Sequence, residues 1–245
     1  TSRHFVLALT PLSVAERFRE MMDDRKAAWI FTSATLAVDE KMDHFADRLG
    51  VSKAKSLILS SPFDYSQQAL LCVPRNLPEP NRPGGARQLA KMMKPLIDAN
   101  QGRCFFLCTS HLMMRELAAE FRASMTLPVL VQGETSKGQL LKQFIEKGNA
   151  LLVATSSFWE GVDVRGDALS LVIIDKLPFT SPEDPLLKAR MEDCRLRGGD
   201  PFSDVQLPDA VITLKQGVGR LIRDTDDRGV LVICDQRLVS RPYGA

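Results

Sequence analysis

Short apolar runs alternate along this chain with longer stretches in which apolar side chains recur every three or four residues. Strand-length runs separated by helical periods are the mark of crossover connections between parallel strands whose two faces are both covered. The predicted class is therefore α/β. Candidate strands lie at 5–9, 29–32, 56–60, 104–109, 128–132, 150–155, 170–175 and 230–235. Several end in Thr, Ser or Asp, and the carboxyl ends of parallel strands are where loops and helix N-termini meet ligands. Polar residues at those ends are candidates for contact.

Pro and Gly punctuate the rest. NLPEPNRPGG at 76–85 reads as a surface loop before an amphipathic helix whose Leu89, Met92, Met93, Leu96 and Ile97 are predicted core. A boundary is expected near 61–68, making 1–60 the tail of one domain and 61–245 a complete α/β domain.

Composition narrows the setting. No apolar run approaches the roughly eighteen residues that a membrane span needs, so a soluble, cytoplasmic protein with no membrane contact is expected. The formal net charge is only +2, so a nucleic-acid surface must be a local concentration of basic groups. The chain opens on Thr1 without an apolar signal region and reads as a piece of something longer. Its five cysteines, Cys72, Cys104, Cys108, Cys194 and Cys234, include no CxxC pair and sit mostly in apolar runs, as reduced core thiols do. Cys104 and Cys108 share a strand face but are spaced too widely for tight chelation, and no metal site is expected.

One stretch imitates a phosphate loop. Gly133 to Gly138 has the GxxxxG spacing, but Gln139 and Leu140 stand where Lys and Ser/Thr are required. Without them nothing neutralises the β- and γ-phosphates or ligates magnesium. A strand-to-helix turn capped by Thr135 or Ser136 is the better reading. The chain by itself is expected not to turn over ATP.

Three other stretches carry chemistry. In QGVGRLIR at 216–223, Gln216, Gly219, Arg220 and Arg223 form a Q-x-x-G-R-x-x-R arrangement. On a helix, Gln216, Arg220 and Arg223 would share a face, and two guanidiniums there invite an anion. A solvated basic helix is the plainer alternative, but each helical Gly costs about 1 kcal/mol relative to Ala, and that alternative leaves Gly217 and Gly219 unexplained. SFWEGVDVRG at 157–166 follows a candidate strand; Gly161 and Gly166 permit turns, and Glu160 and Asp163 can accept hydrogen bonds from ribose hydroxyls or basic neighbours. Trp159 could stack on a base or pack within its loop. TSATL at 32–36 puts the hydroxyls of Thr32, Ser33 and Thr35 after the apolar run AWIF, where a turn or N-cap would also account for them.

In this order TSATL, CFFLCTS, SFWEGVD and QGVGRLIR resemble motifs III, IV, V and VI of the superfamily-two DNA helicases, specifically the iron–sulfur XPD/DinG group. The resemblance covers essentially the whole chain. It implies a RecA-like second motor domain, with a mostly parallel sheet flanked by helices, behind the tail of a preceding RecA-like domain. In that family the two domains close around ATP and Mg²⁺. Arg220 and Arg223 would contact phosphates, Gln216 would organise the cleft, and Gly161, Asp163, Glu160 and Gly219 would border the nucleotide. Thr109 and Ser110 would meet the DNA backbone, with Trp159 a further DNA candidate, and Thr32, Ser33 and Thr35 would couple hydrolysis to strand movement. The resemblance also implies 5′-to-3′ movement on single-stranded or forked DNA, work in bacterial repair and replication near the nucleoid, and contact with the chi subunit of DNA polymerase III. A [4Fe-4S] cluster is implied for the parent protein only, since the five cysteines here do not match its binding pattern. A function of another class, a non-catalytic RecA-like module that docks a replication protein, is the competing reading.

Overall fold

A computed structural model describes residues 7, 9–33, 35, 37, 41–51, 53–79, 82–155, 158, 164 and 166–244. In chain order its main elements are α1 (Ala15–Asp23), α2 (Asp43–Leu49), α3 (Tyr65–Gln68), β1 (Ala69–Cys72), α4 (Gly85–Ala99), β2 (Cys104–Cys108), α5 (His111–Ser124) and β3 (Val129–Val131). These are followed by α6 (Lys137–Lys147), β4 (Leu151–Thr155), β5 (Leu171–Ile174), α7 (Pro185–Leu196), α8 (Leu207–Val218), β6 (Gly229–Ile233) and α9 (Arg237–Ser240). The chain divides into two compact units, one of Thr1–Ser60 with Phe179–Ile212 and one of Ser61–Pro178 with Thr213–Ala245.

The larger unit is built on one sheet in the order β1-β6-β5-β2-β4-β3, with every pairing parallel. Strands β2, β4 and β5 are buried along their whole length, which is why their sequences are unbroken apolar runs rather than alternations. Successive side chains still point to opposite faces. Phe106 packs on Phe121 of α5 at 5.6 Å between ring centroids, while its neighbour Phe105 packs on Phe144 of α6 at 4.7 Å. One strand thus supplies both layers, and truncating either ring to Ala should cost about 3–5 kcal/mol.

Helix α4 buries Leu89, Met93 and Ile97 as predicted, with Leu96 partly buried against the same core. Met92 is 36% exposed, contrary to expectation, because it lies at the margin of the stripe that Leu89, Met93 and Ile97 define. Strand β1 was not predicted. It is a four-residue edge strand whose Leu70 and Leu71 are exposed, so neither length nor burial sets its apolar run apart from a connecting segment.

In the other unit, Phe18 of α1, Trp29, Phe31 and Phe45 of α2 form a chain of aromatic contacts with centroids 5.6 to 6.5 Å apart. Two expected strands, 29–32 and 56–60, do not form there. Ile30, Leu57 and Leu59 are largely exposed, and no neighbouring strand among the described residues offers these segments a ladder. The candidate strand at 5–9 lies almost wholly outside the described residues. Asp184 caps α7 by accepting from the Leu187 N–H at 2.7 Å, with Pro185 in the first turn. A wide π-type turn over Phe202–Gln206 opens into α8, where the Asp209 carboxylate accepts from Arg48 at 2.8 Å and lies 3.4 Å from His44 Nε2. Burial pushes the Asp209 carboxyl up, but the hydrogen bond from His44 and the Arg48 guanidinium together outweigh it and leave the pKa below its usual value.

Candidate nucleic-acid and nucleotide sites on opposite edges of one sheet

At the carboxyl edge of the larger unit, the strand-end polar residues are tied to one another. Thr109, just past β2, donates its N–H to Asp175 Oδ1 at 2.9 Å and its hydroxyl to Asp175 Oδ2 at 3.1 Å. Asp175 follows β5, the neighbour of β2, so the pair cross-links two adjacent strands. Burial pushes the Asp175 carboxyl up to about 6, even though Lys176 and the two bonds from Thr109 pull it down. Asp235, past β6, accepts from the Leu177 N–H at 2.9 Å and from the Arg237 guanidinium at 2.6 Å. Between β3 and β4, Gln132 Oε1 accepts from the Thr155 N–H at 2.7 Å and faces the Thr155 hydroxyl at 3.1 Å.

Ser110 is the N-cap of α5, its hydroxyl oxygen accepting from the Met113 N–H at 3.2 Å. An accepting hydroxyl keeps its own hydrogen, so Ser110 can still donate outward beside a helix N-terminus, an arrangement suited to phosphate. Thr109 differs, since both its donors are directed at Asp175. The false phosphate loop is a turn: Ser136 caps α6 by accepting from the Gln139 N–H, and Gly133 sits at φ 97°.

The arginine segment lies at the other edge. Helix α8 ends at Val218, so Arg220 and Arg223 do not continue the helical face of Gln216, and that expectation is corrected. The backbone tightens from the bond Gly219 N–H to Lys215 O, at 2.9 Å, to the shorter-range bonds Arg220 N–H to Gly217 O and Leu221 N–H to Val218 O. Gly219 supports this turn, since a Cβ there would sit 3.1 Å from Lys215 O. Arg220 and Arg223 are half-buried, whereas Leu221 and Ile222 between them are buried and fasten the segment to the core. Leu221 lies against the start of β6, where a Cβ on Gly229 would be 2.4 Å from its Cδ1; only glycine fits.

Because Arg223 precedes β6, it lies at the amino edge of the sheet, whereas Thr109 and Ser110 follow β2 at the carboxyl edge. A five-residue strand separates the two edges by about 15 Å. The structure brings Gln216, Gly219, Arg220 and Arg223 into one short segment and Thr109 and Ser110 into another. Thr32, Ser33 and Thr35 belong to the smaller unit, where the Ser33 hydroxyl accepts from the Thr35 N–H at 3.1 Å. Trp159, Glu160, Gly161 and Asp163 lie outside the described residues.

Several residues at these sites were not foreseen. Asp175 and Asp235 were visible only as acidic ends of predicted strands, and Gln132 as the last residue of another. Gln68 and Asp227, which hold the turn after Arg223, carry no motif. The nearest signal is a glutamine placed directly before the apolar run of β1.

A parallel sheet covered by helices on both faces is the architecture of a RecA-like domain. The sequence matches the model of the family described as the helicase C-terminal domain over residues 93–245, and the chain belongs to that family. It is 78% identical over its entire length to the ATP-dependent DNA helicase YoaA of Escherichia coli K12, covering 38% of that protein. It is 63% identical to the ATP-dependent DNA helicase YoaA of Haemophilus influenzae, over 99% of this chain and 38% of that protein. A solved XPD helicase structure superposes with a TM-score of 0.67 at 17% identity, over 91% of this chain and 42% of the other, a likeness of fold. The chain therefore spans well under half the length of these relatives.

The cysteines do not fit an iron–sulfur cluster within this chain. Cys104, Cys108, Cys194 and Cys234 are buried free thiols, with Cys234 Sγ 3.8 Å from Met93 Sδ. Burial pushes the Cys104 and Cys108 thiols up and Cys234 to about 12, the reverse of what thiolate ligation needs. Among the described residues no group of three His, Cys, Asp or Glu side chains is arranged to hold a metal ion, and no helix is long and apolar enough to cross a membrane.

Proposed function

We propose that this chain supplies the second half of an ATP-driven DNA motor, with 1–60 as the tail of the first motor domain and 61–245 as the second. Arg223 and Arg220 would neutralise charge developing on the transferred phosphoryl group of ATP, and Gln216 and Gly219 would shape their approach. Arginine's planar fork and permanent charge suit that task. Ser110, at the opposite edge, would meet the DNA backbone, with Thr109 beside it holding the strand end through Asp175 and with Trp159, Glu160, Gly161 and Asp163 on the motif between the nucleotide and the strand. Thr32, Ser33 and Thr35 would couple the two events. The observation that carries this reading is the arginine segment itself. A helix is stopped at glycine, buried Leu221 and Ile222 pin the turn beyond it, and two arginines are presented beside them.

ATP and Mg²⁺ would be bound by the full-length protein, since this chain has neither phosphate-loop lysine nor its partner hydroxyl. Movement 5′ to 3′, action in repair and replication, a [4Fe-4S] cluster held outside this chain, a cytoplasmic location at the nucleoid, and contact with the chi subunit of DNA polymerase III rest on family likeness alone.

The test is Arg223→Ala in the full-length protein. Arginine fingers are worth about 10³ to 10⁵ in rate, so DNA-stimulated ATP hydrolysis should fall at least roughly a hundredfold while nucleotide-free single-strand affinity stays near wild type. Near-normal hydrolysis by both Arg223→Ala and Arg220→Ala would favour a docking module instead.

A further inference from the structure

The turn after Arg223 is held by two buried or half-buried side chains that no motif contains. Asp227 Oδ2 accepts from the N–H groups of Arg223 and Asp224, each at 2.8 Å. The Asp227 N–H closes the loop on Asp224 O at 3.2 Å. From outside the loop comes Gln68, 156 residues earlier and only 8% exposed. Its Nε2 lies 3.0, 2.9 and 3.0 Å from the carbonyl oxygens of Asp224, Thr225 and Asp227. Three acceptors converging on one atom fix the orientation of the amide, because only its NH₂ end can face them.

The position of Gln68 is itself determined. It closes α3, the single turn capped by Asp64, and directly precedes β1, whose register with β6 pairs Ala69 with Gly229. Gln68 is therefore carried on the sheet's own ladder to the level of the arginine turn. On the far side, Leu221 is seated against Gly229. The Arg223 N–H is thus held by the Asp227 carboxylate, and the turn that carries Asp227 is held in its place by the Gln68 amide at the end of α3.

Holding a loop this way matters if one side chain must arrive at a fixed point. A donor misplaced by about 1 Å can cost a hundredfold in rate, and a loop of exposed Asp224, Thr225 and Asp226 has little packing of its own to hold it. We infer that Gln68 is a positioning residue for Arg223, acting through the Asp224–Asp227 turn to set where the guanidinium meets the nucleotide. This rests on the reading of Arg223 as the phosphate-contacting arginine.

The experiment is a double-mutant cycle in the full-length protein, with DNA-stimulated ATP hydrolysis and nucleotide-free single-strand affinity measured on each variant. Gln68→Leu keeps size and removes the donors. It should lower kcat about tenfold, with KM for ATP and DNA affinity within about twofold. In the Arg223→Ala background, Gln68→Leu should lower kcat no further, because the group it positions is gone. If it cuts the rate by the same factor in both backgrounds, Gln68 does not act through Arg223 and the inference fails. It also fails if Gln68→Leu alone leaves kcat unchanged while Arg223→Ala is crippled. If Arg223→Ala is itself near normal, the underlying reading falls as well, and the two failures are told apart. Should Gln68→Leu not fold, the same cycle with Gln68→Asn, which keeps the amide but draws it back by one methylene, carries the same expectations.

Discussion

The two edges of the sheet solve the same problem differently. At the carboxyl edge, side chains past the strand ends accept from backbone N–H groups of the neighbouring strand's end: Asp175 from Thr109, Asp235 from Leu177, Gln132 from Thr155. Three of the five strand junctions, β6–β5, β5–β2 and β4–β3, are stapled in this way at the edge where Ser110 caps α5. At the amino edge Asn100 and Ser170 join the starts of β2 and β5 by side-chain hydrogen bonds at 3.0 and 3.2 Å, but the arginines are carried on a different segment. A single segment leaves α8, is pinned by Leu221 and Ile222, and is braced by Gln68 and Asp227. A surface that tracks a polymer backbone needs a broad, fixed platform. A group that must reach one reacting atom needs a short arm with few degrees of freedom.

The contrast can be broken most sharply at the amino edge. Arg223→Lys keeps the charge but loses the planar fork, and in the full-length protein it should lose at least roughly thirtyfold in DNA-stimulated ATP hydrolysis, with single-strand affinity unchanged. If lysine works nearly as well, Arg223 acts only as a point charge and the bracing has no purpose.

Next comes Asp175, a stability effect at the carboxyl edge. Its folded pKa is raised from 3.8 to about 6, so between those values the folded protein holds a proton that the unfolded chain has released. Stability from this group is full below about pH 4 and is lost as pH climbs toward 6, a change of about 3 kcal/mol. Asp175→Asn cannot titrate, and chemical denaturation across that window should show the wild type losing stability relative to the variant as pH rises. Parallel profiles would mean that the carboxylate is solvated. Ser110→Ala removes an N-cap and should cost about 1 kcal/mol, together with a weaker single-strand affinity; loss of stability with unchanged affinity would take Ser110 off the DNA face. The smallest effect is expected at Arg122, whose pair with Glu134 at 2.7 Å is exposed. Arg122→Ala should shift stability by less than about 1 kcal/mol and leave both activities alone.

The sheet's interior was legible because burial on both faces writes itself as continuous apolar runs, and β2 through β6 fell within a residue or two of expectation. What failed depended on partners that a linear pattern does not contain. The apolar run AWIF has strand composition, but Ile30 is exposed and no neighbouring strand among the described residues receives it; β1 has a partner in β6 yet too little burial to mark it. Arg220 and Arg223 were singled out by spacing, while their shared helical face was an artefact of assuming that α8 continues past Val218. Gln68 could not have been found this way, since its importance arises entirely from a register set by residues at the far end of the unit.

That register has a consequence for how the protein is made. Gln68 leaves the ribosome 156 residues before Asp224, the first carbonyl it serves. At typical synthesis rates of about 5–20 residues per second, the amide waits roughly ten to thirty seconds for its acceptors. Throughout that interval β1 has no neighbour at all, and β5, once made, has no β6 beside it. The exposed Leu70 and Leu71 then belong to an unpaired apolar edge on a nascent chain, the kind of surface that chaperones hold. Slowing translation between β5 and β6 should therefore raise aggregation of the nascent chain more than slowing it after β6.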